Sequence, residues 1–168
     1  MLVVANGDAL LFIDDKQLQI QGRIDTKLGK SIICLSLHER CLLVGTVDTI
    51  SIYTLEKYSA SLKASRNLGS SGDKITTAAW VHGRIAVGGW NKIRLFDERL
   101  GRELGGVEYA HQGNVAGVCA GDDGMLVSIG HDGLVKQWAL KQSEHHPVDI
   151  NSSVDTLDAL FGGINSTS

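Results

Sequence analysis

The sequence predicts an all-β chain of repeated four-stranded antiparallel units, on three observations. The stretches LVVANGDALLFID from Leu2, LLVGTVDTISIYT from Leu42, IAVGGWNKIRLFD from Ile85 and LVSIGHDGLVKQWA from Leu126 share one plan: apolar strand, polar turn, alternating strand. Their turn residues Asp8, Asp48, Asn91 and Asp132 recur 40, 43 and 41 residues apart, and the bulky residues Ile13, Tyr53, Phe96 and Trp138 of the next strand 40, 43 and 42 apart. Finally, 20 glycines are spread through the turns with one proline, and no long stretch before residue 150 keeps a helical 3.6-residue period. A repeat of about 40 to 45 residues carrying four strands is the sequence mark of β-propeller blades.

Each period supplies the remaining strands. Inner strands (a) are expected at 31–38, 74–82 and 114–121, ahead of the apolar strand (b) and the alternating strand (c), and outer strands (d) at 17–24, 57–64 and 101–109. The blade region spans 1–145, as a partial blade at 1–25 and blades at 26–68, 69–110 and 111–151, the last reaching into the tail. Asp132-Gly133 between two apolar runs predicts a hairpin whose two turn residues both take positive φ.

The last unit resembles the WD-repeat (WD40) family of β-propellers. In that family a histidine before strand a, a serine or threonine on strand b, an aspartate in the b–c turn and a tryptophan on strand c form a hydrogen-bonded tetrad. The matching residues are His111, Ser128, Asp132 and Trp138. Their donors and acceptors are compatible, since the carboxylate accepts, the imidazole has one of each and the indole only donates. The other units carry Val4, Val44 and Val87 where the serine belongs, and Ser71 where the third blade needs its histidine, so apolar packing must hold them. The fold expected is thus a partial β-propeller with an incomplete ring. Propellers of the family usually close with about seven blades, within the general range of four to eight. Three readings stay open: the C-terminal part of a longer propeller, a ring completed by another chain, or an open stack.

After Trp138 the sequence becomes polar. Pro147 is compatible with an outermost strand near Val148 to Asn151. In the tail, 152–168, Val154, Leu157, Leu160 and Phe161 fall at helical spacing behind Ser153. This is a frayed tail or a helix packed on its own blade, or else an acidic amphipathic motif for a partner's groove.

Composition excludes several functions. Net charge is −3 with scattered basic residues, so no nucleic-acid partner is expected. No membrane span and no secretory signal are read, because Asp8 interrupts the N-terminal apolar run. The three cysteines, Cys34, Cys41 and Cys119, show no metal-type spacing and suit reduced thiols in cytoplasm or nucleus, although Cys34 and Cys41 are close enough in sequence to face each other across a hairpin. TKLGKS at 26–31 lacks the first glycine of a phosphate loop, since position 24 is Ile24. Glu144, His145 and His146 lack a third metal ligand, and neither a metal nor any other cofactor is expected.

What remains is a non-catalytic protein-interaction scaffold, with a propeller enzyme as the poorer reading because no converging polar set is visible. In the WD-repeat family the residue before the b–c turn aspartate projects onto one face of the disk. Here those residues are Gly7, Val47, Trp90 and His131, of which Trp90 is the best anchor for a protein partner unless it folds inward to cover the blade. A narrower alternative is a substrate receptor of a cullin-type ubiquitin ligase. Phe96-Asp97-Glu98-Arg99 resembles the strand-c ending Trp-Asp-x-Arg of such receptors, or else merely sets the c–d turn.

Overall fold

The computed structural model describes residues 1–69, 74–122 and 124–140. Among these residues, fourteen strands form four antiparallel sheets in which neighbours in sequence pair. The first sheet contains β1 (Leu2–Asn6), β2 (Ala9–Ile13) and β3 (Ile20–Asp25). The second contains β4 (Cys34–His38), β5 (Cys41–Gly45), β6 (Thr49–Glu56) and β7 (Ser59–Asn67). The third contains β8 (Thr77–Val81), β9 (Arg84–Gly88), β10 (Ile93–Phe96) and β11 (Glu103–Val107), and the fourth β12 (Val115–Ala120), β13 (Met125–Gly130) and β14 (Val135–Ala139). These are blades in an arc with no closed ring. The strand expected near Val148 and the helix expected over Leu157, Leu160 and Phe161 lie outside the described residues.

Alternation along the strands puts one set of side chains against the preceding blade and the other against the following one. In β6, Ile50 and Ile52 enter the core shared with the third blade, while Tyr53 and Leu55 enter the core shared with the first. The third blade repeats this, with Phe96 turned back to the second blade and Ile93 and Leu95 turned to the fourth. Strands covered on both faces need apolar residues on both. That explains why β5, β6, β9 and β10 carry just over half of the buried apolar side chains among the described residues.

Two sequence expectations change. The Asp132-Gly133 hairpin forms, but only Gly133 has positive φ, at 78°. The Gly130 N–H instead donates to the Leu134 carbonyl across a wider loop, at 3.1 Å. Asp132 is held in an ordinary conformation because its carboxylate is turned inward onto His111 and two backbone N–H groups. Cys34 and Cys41 do not face each other. They lie at opposite ends of the β4–β5 hairpin, paired with Gly45 and His38, and both thiols are free.

Phe96 is fully buried between the guanidinium groups of Arg66 and Arg94, each 5.2 Å from its ring centre. Phe96→Ala is expected to cost about 3–5 kcal/mol, the usual loss for emptying a large aromatic site. A urea titration reads this as a lower midpoint at unchanged slope.

Candidate functional site

Two features of the arc bear on function: a buried polar network in the fourth blade and the turn surface that it supports. The network connects four side chains. Trp138 Nε1 donates to Ser128 Oγ at 2.9 Å, and Ser128 Oγ lies 2.8 Å from His111 Nε2. His111 Nδ1 lies 3.0 and 3.1 Å from the two Asp132 carboxylate oxygens. Donor chemistry fixes the direction. An ionised carboxylate only accepts, so Nδ1 carries the proton; Nε2 then accepts from the serine hydroxyl, whose oxygen accepts from the indole.

Asp132 also accepts from the backbone N–H of Gln112 at 2.9 Å and of Leu134 at 3.1 Å. The Gln112 bond is the main reason that its pKa falls from 3.8 to about 2, with the Leu134 and His111 bonds adding to it against a desolvation penalty. One carboxylate therefore ties the b–c turn to the segment ahead of β12. Gly130 is a member that the sequence reading missed: a β-carbon there would lie 2.5 Å from His111 Cγ and 2.6 Å from Asp132 Oδ1. Its signal was available, since Gly45, Gly88 and Gly130 end strand b in three blades and pair with the first residue of strand a.

At the b–c turn rim, the carbonyls of Gly7, Val47 and Gly89 accept the N–H of Ile32, Ile75 and Val115 in the following blade, at 2.7, 2.8 and 3.0 Å. Trp90 forms a backbone bridge with Asn114, flanked by the Asn91 N–H to Gly113 carbonyl bond of 2.7 Å. Its side chain is 62% exposed, so it does not fold inward. Its backbone is pinned while the indole faces solvent. His131 is exposed beside it in the rim, and its N–H donates to the Asn114 carbonyl at 2.9 Å. Val47 is half-buried and Gly7 has φ 63°, which leaves Trp90 and His131 as the side chains displayed among the four turn positions, Trp90 the larger.

Elsewhere, Asp97 accepts the backbone N–H of Arg99, Gly101 and Arg102, at 3.2, 2.8 and 3.1 Å, and so closes the β10–β11 turn. Burial pushes the Cys34 thiol pKa up. Among the described residues, no three His, Cys, Asp or Glu side chains are grouped as a metal site, and no helix is long and apolar enough to cross a membrane.

Ser128→Ala removes the hydroxyl shared by His111 and Trp138 and leaves the buried His111 Nε2 without the bond that it accepts. A loss of about 1–3 kcal/mol is expected in a denaturant titration, the usual cost of an unsatisfied buried group. Asp132 adds an acid-sensitive component. Its folded pKa lies below the unfolded value, so its contribution is complete above pH 3.8 and is lost as pH falls towards about 2. Asp14 and Asp48 are depressed too, by backbone and lysine hydrogen bonds respectively, so the acid limb persists in Asp132→Asn but becomes shallower. Stability measured between pH 5 and pH 2 checks the difference.

No family model matches the chain, and no curated protein matches its sequence. Solved structures match its fold. The β-propeller domain of Cps50 (Swd1) from Myceliophteria thermophila superposes with a TM-score of 0.70 at 16% identity, covering 83% of this chain and 50% of that one. A chain in the crystal structure of the mitotic checkpoint complex gives a TM-score of 0.66 at 17% identity, covering 81% and 44%. The chain thus spans about half the length of these structures. Identity at this level carries the fold and leaves function to the site. The chain has the fold of a partial WD40-like β-propeller, with four blades among the described residues.

Proposed function

We propose that the chain is a non-catalytic protein–protein interaction scaffold, a WD-repeat subunit or part of one within a multiprotein complex, and that a partner protein docks on the b–c turn rim around Trp90. The observation that carries this reading is the display of Trp90: a 62% exposed indole on a backbone bridged to the next blade. A large amphipathic ring held still loses little entropy on binding, which is why such rings dominate interface energetics. His131 lies in the same rim, exposed, and Val47 is the half-buried residue at the matching turn position of the second blade. Free thiols at Cys34, Cys41 and Cys119 fit a reducing compartment, so we place the chain in the cytoplasm or nucleus. The cullin-receptor reading has less support, because the Asp97 carboxylate is occupied by three turn N–H groups.

The test compares wild type with Trp90→Ala in capture of partners and in melting temperature. Loss of a specific captured protein by at least tenfold, with melting unchanged, is expected, since a hot-spot truncation removes about 2 kcal/mol or more. Undiminished capture rejects the docking role of Trp90.

A further inference from the structure

Backbone contacts at the turn rim set three side chains in one row. Trp90 and Asn114 form an antiparallel bridge, closed by the Asn91 N–H to Gly113 carbonyl bond of 2.7 Å and the Val115 N–H to Gly89 carbonyl bond of 3.0 Å. On its other side Asn114 lies opposite His131, because Val115 pairs with Gly130 and the His131 N–H donates to the Asn114 carbonyl at 2.9 Å. Residues directly opposite one another in a ladder project on the same face. The row therefore reads Trp90, Asn114, His131, with an exposed ring at each end and a half-buried amide between them. Opposite residues lie about 4.5 Å apart in a pair of the Trp90–Asn114 kind and about 5.5 Å apart in one of the Asn114–His131 kind, which places the Cα atoms of the two rings about 10 Å apart. Among the described residues no hydrogen bond engages the indole N–H of Trp90 or the side-chain amide of Asn114.

We propose that this row receives a proline-rich segment of a partner protein in the polyproline II conformation. The inference rests on partner docking at Trp90 and names the chemistry of what docks. Polyproline II has three residues per turn and rises about 3.1 Å per residue, so a side chain returns to the same side after about 9.3 Å, and one turn spans the row from ring to ring. Proline carries a carbonyl and no N–H, and this helix has no internal hydrogen bonds, so its carbonyls need donors from the site. Trp90 and Asn114 supply them, while the indole and imidazole faces take the apolar pyrrolidine rings. A β-strand returns a side chain to one face every ~6.6 Å and misses the spacing. An α-helix does so after seven residues, about 10.5 Å, but its carbonyls are engaged within the helix and would leave both donors unmet in a covered interface. A prolyl segment is also stiff before it binds, which keeps the ordering cost low.

The probe is an acetylated and amidated decaproline peptide titrated into the ¹⁵N-labelled chain. Saturable shifts of the Trp90 indole and Asn114 amide signals are expected, with none from a decapeptide of alternating glycine and serine. Trp90→Ala is expected to weaken binding at least tenfold and His131→Ala at least fivefold, both at unchanged melting, and His131→Phe to restore binding because it keeps a ring at that end of the row. Missing saturation, equal shifts with the glycine–serine peptide, wild-type affinity in either alanine variant or no recovery in His131→Phe overturns the proposal. A partner captured through Trp90 that excess decaproline fails to displace, or that decaglutamate displaces instead, overturns this inference and leaves docking at Trp90 standing. Undiminished capture by Trp90→Ala removes the docking reading itself.

Discussion

A sheet that is apolar on both faces cannot stand alone in water, and everything else in this chain follows from that. Burial of alternating side chains gives each strand two cores to serve, and those cores lie between blades, not within them. Leu43, Ile50 and Ile52 meet Ile85, Val87 and Phe96 in one such core, Leu10 and Phe12 meet Leu42, Val44 and Tyr53 in another. At about 25 cal/mol per Å² of apolar surface, each junction outweighs any single polar contact in the arc. The blades are therefore stable as a stack, and the covering of each blade is a property of its neighbours.

The polar network sits within this apolar scheme as an exception in one blade. At the position four before the turn residue the second and third blades carry Val44 and Val87, with Tyr53 and Phe96 as the bulky partners on strand c. Only the fourth blade carries Ser128, and it then needs the rest: a hydroxyl in a dry core must be satisfied from both sides, which His111 and Trp138 do. Aspartate completes the set because it fixes the imidazole proton and reaches the backbone at the same time. Trp80 shows the contrast, since its buried Nε1 has no partner among the described residues.

Much of this was legible in the sequence because the repeat is carried by spacing and alternation, which survive when residue identity does not. The polar network was legible for the same reason, through four residue types with compatible donors and acceptors. The turn at Asp132 was misread: local propensity favours positive φ at both residues, whereas the carboxylate is claimed by His111 and Gln112 from outside the hairpin. Trp90 was ambiguous in sequence because its exposure depends on a backbone bridge to Asn114, a contact between blades that no local pattern encodes. Gly130 escaped because its role is the absence of a side chain, which spacing marks only when three blades are superposed.

The hydrogen bonds that cross from one blade to the next are unevenly placed. Gly7, Val47 and Gly89 all give their carbonyls to the following blade at the b–c turn rim. At the other rim, the third and fourth blades are linked through a side chain, where His82 Nε2 lies 3.0 Å from the Gly121 carbonyl and 3.1 Å from that of Met125. Backbone links are short and have few torsions, whereas an exposed imidazole link yields by rotating. The arc is consequently stiff along one edge and compliant along the other, like a fan pinned at its pivot. Splaying of the blades would pivot about the turn rim, the edge on which the backbone of Trp90 is bonded to the next blade.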